Sequence, residues 1–120
     1  MSDVRLTERV TERVTILDIE GDITIFGGTS ELRKEVRRLI QEGHINIILN
    51  LADVRYVDSS GLGAMVAALT TANRVGGQVA LLNVSQNILE LLEVTKLVSV
   101  FDIYSDERYA TKAVGGGRSV

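Results

Sequence analysis

The segment from Ile45 to Leu51 constrains the fold most, because its apolar residues stand nearly back to back. A strand that is apolar on both faces needs helices on both sides, as in the centre of a parallel sheet. Before it, Val4 to Ile19 shows two strand patterns around a turn near Thr11, which predicts a hairpin. After the hairpin, helical and strand patterns alternate, and this order predicts an α/β domain with right-handed crossovers.

Helix-period apolar positions and polar start signals predict four helices. The first helix carries its apolar stripe on Leu32, Val36, Leu39 and Ile40. The predicted spans are 30–42, 60–75, 86–94 and 105–113. The predicted N-caps of the first, third and fourth helices are Thr29 or Ser30, Ser85 and Ser105. We therefore expect one α/β domain over residues 1–114, with a mixed, mostly parallel sheet of four to five strands, and a flexible C-terminal tail over residues 115–120.

Composition excludes several classes of function. The chain has 120 residues, no cysteine and one histidine, His44, so it offers neither disulfides nor a histidine-based metal cluster. A net charge of -3 with five aromatic residues argues against nucleic-acid binding. No apolar run approaches the ~20 residues of a membrane span. We expect a cytoplasmic protein with no metal, no cofactor and no membrane or nucleic-acid partner.

A polar junction, Asp58-Ser59-Ser60-Gly61, lies between the apolar strand and the second helix. Asp and Ser are favoured N-caps, because a side-chain oxygen accepts a hydrogen bond from a free amide of the first turn. Gly61 and Gly63 leave little bulk there, so another protein's backbone could approach closely. Two interpretations stay open: a helix cap only, or an exposed serine that takes part in function.

A second candidate site is the loop from Ile23 to Gly28. Gly21 to Thr24 and the Asp58-Ser59 pair both follow predicted strands, and functional loops of open α/β sheets lie at such carboxyl ends. We expect the two loops to be neighbours. Ile25 and Phe26 are apolar residues in this loop. The favoured interpretation is that they cover the core, and the alternative is a partner-binding rim.

Catalytic patterns fit the chain poorly. A serine hydrolase needs a base, but the G-x-S-x-G elbow is absent and His44 precedes a strand. A P-loop needs a lysine that the serine-glycine segment lacks. A phospho-aspartate receiver needs an acidic cluster and a late lysine, whereas the chain offers Asp22 alone and Asp102 where a basic group is required. The sequence predicts a regulatory binding module and not an enzyme.

The chain resembles the STAS family, which comprises bacterial anti-sigma factor antagonists and the related cytosolic domains of sulfate transporters. The resemblance covers roughly residues 4 to 113. It is carried by Asn50-Leu51, Asp53, the motif Val57 to Gly63, Gly76-Gly77 and the segment Leu91 to Leu97. It implies a STAS domain over residues 1–114.

The resemblance also implies a function. The unphosphorylated protein would bind an anti-sigma factor that is also a serine kinase, and so release a sigma factor. That kinase would use ATP and Mg²⁺ to phosphorylate the motif serine, which maps to Ser59 with Ser60 as the fallback, and a serine phosphatase would reverse the reaction. We expect a monomer or weak dimer. The alternative is a STAS scaffold or sensor module that binds protein partners without a phosphorylation cycle.

The predicted partner-binding residues come from both loops. They are Asp22, Ile23, Thr24, Asp58, Ser59, Ser60, Gly61, Leu62 and Gly63. One departure from the family pattern concerns the first loop. Kinase-binding members commonly carry an acidic residue there, shortly after the glycine that ends the second strand. Here Thr24 occupies that position, and Asp22 is the candidate substitute.

Overall fold

The computed structural model describes residues 4–11 and 13–116, which form five strands and four helices. The strands are β1 Arg5–Val10, β2 Thr15–Glu20, β3 Asn46–Asp53, β4 Gln78–Leu82 and β5 Asp102–Tyr104. The helices are α1 Thr29–Gln41, α2 Ser59–Arg74, α3 Gln86–Val94 and α4 Glu107–Gly116. The predicted α/β fold is confirmed, and the apolar segment that begins at Ile45 is the strand β3.

The strands form one sheet in the order β1-β2-β3-β4-β5. The hairpin pairs β1 and β2 antiparallel, and the remaining neighbours are parallel. Thr11 closes the hairpin, because its amide donates to the Val14 carbonyl at 2.9 Å. Glu12, in the predicted turn, lies outside the described residues. Because β2 and β3 are parallel, their carboxyl ends lie at the same edge of the sheet.

Helices cover both faces of the sheet, as the apolar pattern of β3 predicts. Ile47 and Leu49 pack into the larger core under α1, α2 and α3, whereas Ile48 packs under α4. Asn50 shares the parity of Ile48 but is only half-buried, and its amide donates to Asp18 at 2.7 Å. Asn50, a polar residue of β3 on this face, thus lies where α4 does not cover the sheet completely.

The predicted cap of α1 is wrong, because the N-cap is Gly28 and not Thr29 or Ser30. Gly28 has a φ of 93°, and a Cβ there would lie 2.8 Å from the Asp22 carbonyl oxygen and 2.7 Å from Val4. Only glycine fits this position without strain. The loop before α1 is consequently packed tightly against the chain that precedes it.

The ends of α4 also differ from the prediction. Asp106 caps this helix in place of Ser105, since its carboxylate accepts from the Tyr109 amide at 3.2 Å. At the other end, α4 runs to Gly116 and takes in the first two residues of the predicted tail. A Cβ on Gly115 would lie 2.4 Å from Val14, so the glycine allows α4 to pack closely on the sheet. Residues 117–120 lie outside the described residues.

Candidate functional site

The polar junction connects the end of β3 to the first turn of α2. Val54 and Val57 are buried in the core and anchor the connection. Asp58 is extended, with φ -95° and ψ -175°, and is the N-cap of α2. Its Oδ1 accepts from the Gly61 amide at 2.8 Å. The aspartate of the motif therefore caps α2, and Ser59 is the first residue of the helix.

The two serines of the junction differ in accessibility. Ser59 is exposed, whereas Ser60 is half-buried. The Ser60 hydroxyl lies 3.5 Å from the Thr29 hydroxyl, at the start of α1. Ser59 thus offers its hydroxyl to solvent, whereas Ser60 is directed toward a neighbouring helix.

The loop from Ile23 to Gly28 lies directly beside this junction, as predicted. Ile23 forms a parallel bridge with Val57. Its amide donates to the Tyr56 carbonyl at 3.0 Å, and its carbonyl accepts from the Asp58 amide at 3.3 Å. These bonds extend the β2–β3 pairing past the strand ends. The loop and the amino end of α2 therefore form one continuous structure at the carboxyl edge of the sheet.

The Asp58 carboxylate joins the two parts of this structure. Its Oδ2 accepts from the Ile25 amide at 3.0 Å, while Oδ1 holds Gly61. The hydrogen bonds from the Ile25 and Gly61 amides hold the pKa of Asp58 below its usual range. The carboxylate is therefore ionised at neutral pH, and each of its oxygens accepts a hydrogen bond from the protein's own backbone.

Two predicted contact residues have internal roles. The Ile23 side chain is completely buried, so it belongs to the core and offers no contact surface. A Cβ on Gly61 would lie 2.2 Å from the Ile23 carbonyl oxygen. The glycine thus makes room for this chain's own backbone, and the expectation that Gly61 admits a partner's backbone is wrong.

The other two helix residues of the predicted surface also differ from each other. Leu62 is buried and packs in the core, which leaves little of it for a partner. Gly63 is half-buried, and a Cβ there would meet only Arg33, at 3.7 Å. Of the two motif glycines, Gly63 alone leaves open space on α2.

The favoured interpretation of the apolar loop residues is wrong. Ile25 and Phe26 do not cover the core, because 71% of Ile25 and 88% of Phe26 is exposed. Tyr56, in the connection between β3 and α2, is 57% exposed and was not among the predicted site residues. The available signal was the scarcity of aromatic residues: the chain has five, and two of them, Phe26 and Tyr56, are exposed at this edge.

Thr24 stands where an acidic residue is expected in the first loop, and Asp22 is its candidate substitute. Thr24 is half-buried, and its hydroxyl accepts from the Phe26 amide at 3.2 Å. Asp22 is exposed. Thr24 therefore stabilises the loop from within, while Asp22 supplies the exposed carboxylate nearest to it in the chain.

A groove of about 590 Å³ borders Ser59 between the first turn of α2 and helix α3. Leu62, Ile88 and Leu91 give it apolar walls, and Arg55 also lines it. A larger cavity of about 740 Å³ lies between the hairpin and α4, and none of the motif residues lines it. The exposed serine lies at the edge of the 590 Å³ groove.

Other site classes find no support in the described part of the chain. Within residues 4–11 and 13–116, no group of three or more His, Cys, Asp or Glu side chains could hold a metal ion. Among the helices described, none has the length and apolar character needed to cross a membrane.

Comparisons with known proteins find a matching family model, related sequences and similar structures. The family model for the STAS domain matches residues 5–110. The anti-sigma-B factor antagonist of Bacillus subtilis (strain 168) is 31% identical over 87 residues, which are 72% of this chain and 78% of that protein. The crystal structure of TM1081 from Thermotoga maritima superposes with a TM-score of 0.85 at 26% identity, over 91% of this chain and 93% of that one.

A further structural neighbour shares the fold alone. The Bacillus cell fate determinant SpoIIAA, in its phosphorylated form, has a TM-score of 0.71 at 22% identity, over 92% of this chain and 98% of that one. The family model covers the whole sheet and all of the junction, from β1 to the first turn of α4. This chain belongs to the STAS domain family.

Proposed function

We propose that this chain is an anti-sigma factor antagonist that is switched off by phosphorylation of Ser59. The observation that carries the proposal is the position of Ser59: its exposed hydroxyl stands at the first residue of α2, while Ser60 is half-buried. Relatives that share about a third of their aligned residues bear the name anti-sigma-B factor antagonist. Their name supports an anti-sigma factor as the partner of this chain.

The proposed contact surface for the anti-sigma factor consists of the Ser59 hydroxyl, the exposed loop residues and the exposed Asp22. All of them lie at the carboxyl edge of the sheet, joined by the bonds of Ile23 and Asp58. The partner is a serine kinase, and it binds this surface while Ser59 is a neutral hydroxyl. Binding withdraws the anti-sigma factor from its sigma factor in the cytoplasm, and transcription from the corresponding promoters follows.

Phosphorylation acts on this surface through charge and bulk. The kinase transfers the γ-phosphoryl group of ATP, with Mg²⁺, to the Ser59 oxygen, and ADP leaves while the kinase accepts the hydroxyl proton. The product carries about -1.5 to -2 charges. The helix terminus tolerates an anion in general, but here the Asp58 carboxylate already occupies the Gly61 amide. Because Ser59 is exposed, the phosphate would stand on the surface that faces the partner.

The expected loss of affinity follows from that position. A surface that receives a neutral hydroxyl must desolvate the phosphate, accommodate its three oxygens and face its charge. A penalty of about 3 to 4 kcal/mol would lower the affinity about 10² to 10³-fold. A serine phosphatase restores binding by hydrolysis of the phosphoserine. This chain is the substrate and the switch of the cycle, and the kinase and phosphatase supply the catalysis.

The test is incubation with ATP, Mg²⁺ and the anti-sigma kinase encoded nearby, followed by intact mass and phosphopeptide mapping. We expect one phosphate on the wild-type chain, one on Ser60→Ala and none on Ser59→Ala. Phosphate on Ser60 alone would contradict the assignment of the acceptor. Tight binding without any phosphate would favour the second function described next.

The second candidate function is a STAS scaffold or sensor module without a phosphorylation cycle. One observation favours it: Thr24 stands where kinase-binding relatives are expected to carry an acid, and its hydroxyl is used within its own loop. Asp22 is exposed and is the group that would replace that acid. Asp22→Asn should therefore slow phosphorylation if the cycle exists, and should leave partner binding by a scaffold module unchanged.

A further inference from the structure

The segment Thr24–Gly27, called the tip below, presents two apolar side chains from a rigid backbone. Phe26 and Ile25 are its exposed residues, at 88% and 71%. The Thr24 amide donates to the Gly27 carbonyl at 2.8 Å, and the Gly27 amide donates to the Thr24 carbonyl at 3.1 Å. The Phe26 amide donates to the Thr24 hydroxyl at 3.2 Å. These bonds therefore hold the backbone of the tip in one conformation.

The Asp58 carboxylate connects the tip to α2. The Ile25 amide, which points out of the tip, donates to Asp58 Oδ2 at 3.0 Å. The other oxygen, Oδ1, accepts from the Gly61 amide at 2.8 Å. One side chain thus bonds to both segments that flank Ser59.

We propose that Asp58 is a positioning residue that fixes the tip beside Ser59, and that the partner that receives the serine also receives the Phe26 ring in an apolar pocket. This inference rests on the proposed function and names the chemistry of its contact. Exposed aromatic side chains on a hydrogen-bonded backbone are favoured anchors of protein interfaces, because they bury about 150 to 250 Å² and lose the freedom of only two χ angles.

The same geometry gives the Asp58 carboxylate a role inside the protein. Both oxygens accept from backbone amides of this chain, Ile25 and Gly61, and the residue is half-buried. The low pKa of Asp58 agrees with this engagement. Both are charge-assisted hydrogen bonds, which are stronger than those between neutral groups. The exposed surface next to the serine is the tip itself.

The experiment separates the two hydrogen bonds of Asp58. Asp58→Ser retains an N-cap for Gly61, because serine is an equally good cap, but its shorter side chain cannot reach Ile25. Amide hydrogen exchange measured by NMR should show Ile25 exchanging about tenfold or more faster in this variant, with Gly61 still protected. Phe26→Ala should leave both amides unchanged. Unchanged exchange at Ile25 in Asp58→Ser would overturn the positioning role.

Binding of the anti-sigma partner tests the anchor. Phe26→Ala should weaken binding about ten- to a hundredfold, and Asp58→Ser should weaken it by up to the same factor. The double variant should bind no more weakly than Phe26→Ala alone, because both changes remove one contact. Val75→Ala is the matched control, since Val75 is 53% exposed at the opposite end of α2, and it should bind as the wild type does.

The possible outcomes are distinct. Additive losses in the double variant would mean that Asp58 contacts the partner itself, and normal binding by Phe26→Ala would overturn the anchor. If the wild-type chain binds no anti-sigma factor, the proposed function fails and the partner pocket fails with it. The exchange measurement on the free protein still decides whether Asp58 holds the tip.

Discussion

Gly61→Ala should destabilise the protein although alanine is the better helix former. The added Cβ would lie 2.2 Å from the Ile23 carbonyl oxygen, 3.0 Å from the Ile23 carbonyl carbon and 2.8 Å from Val57. The nearest atom belongs to the backbone, which cannot turn away as a flexible side chain does. The first turn of α2 or the loop at Ile23 must move.

The cost can be worked out from the bonds that such a shift would strain. Overpacking at a buried site costs about 1 to 3 kcal/mol. Movement of Ile23 also lengthens its bonds to Tyr56 and Asp58, now 3.0 and 3.3 Å, each worth about 1 kcal/mol. The better helix propensity of alanine offsets at most about 1 kcal/mol of this cost. The free energy of unfolding should therefore fall by about 2 to 4 kcal/mol.

Gly63→Ala is the matched control in the same helix. Its Cβ would meet only Arg33, at 3.7 Å, an ordinary contact. The substitution should raise the free energy of unfolding by about 0.5 to 1 kcal/mol. At a slope of about 1 to 3 kcal/mol per M, the urea midpoint of Gly61→Ala should fall by about 0.7 to 4 M. Equal midpoints for the two variants would refute the close approach of Ile23 to α2.

Three further predictions follow from the contacts described. The pKa of Asp58 is lowered in the folded state, so its contribution to stability is present above the unfolded pKa of about 3.9 and is lost as pH falls through the lower, folded pKa. Urea midpoints from pH 7 to pH 3 should consequently fall less steeply for Asp58→Asn than for the wild type. Arg9 joins Asp18 of β2 at 2.6 Å to Glu107 of α4 at 2.9 Å, so Arg9→Met should cost about 1 kcal/mol and less in high salt. Arg5→Met, which removes one exposed pair with Glu20, should be nearly neutral in the same unfolding assay. Ser59→Ala should bind the anti-sigma factor and resist inactivation, whereas Ser59→Asp should bind more weakly than the wild type but better than the phosphorylated chain, as measured by calorimetry.

The fold could be predicted from local patterns wherever burial sets the pattern. The continuous apolar run of β3 indicates a strand covered on both faces, and Ile47 and Ile48 do pack into cores on opposite faces. The predictions failed where a distant contact decides the local structure. Gly28 caps α1 because Val4 and Asp22 leave no room for a side chain, and Gly115 stays helical because α4 packs on Val14. Neither contact can be predicted from the residues next to these glycines in the sequence.

The place of Asp58 and Ser59 between a strand and a helix could be predicted, but the contacts of each residue in the candidate site could not. Asp58 and Ser59 follow a strand and begin a helix, and local propensity is enough to place them there. The role of Gly61 depends on Ile23, which is far away in the sequence and meets it only through the pairing of β2 with β3. Phe26 was assigned to the core on hydrophobicity alone, but its loop closes on itself and leaves the ring in solvent.

The rigidity of this edge bears on how a switch can work here. Ile23 is fixed through its buried side chain and through both of its backbone bonds, and Asp58 is fixed through two carboxylate bonds and the cap of α2. A segment held at so many points cannot rearrange without losing several kcal/mol, by about 1 kcal/mol for each hydrogen bond. One phosphate on an exposed hydroxyl does not require that cost, because it can project into solvent. The proposed switch therefore acts at the interface, where the partner meets the added charge, and the surface around Ser59 keeps its shape in both states.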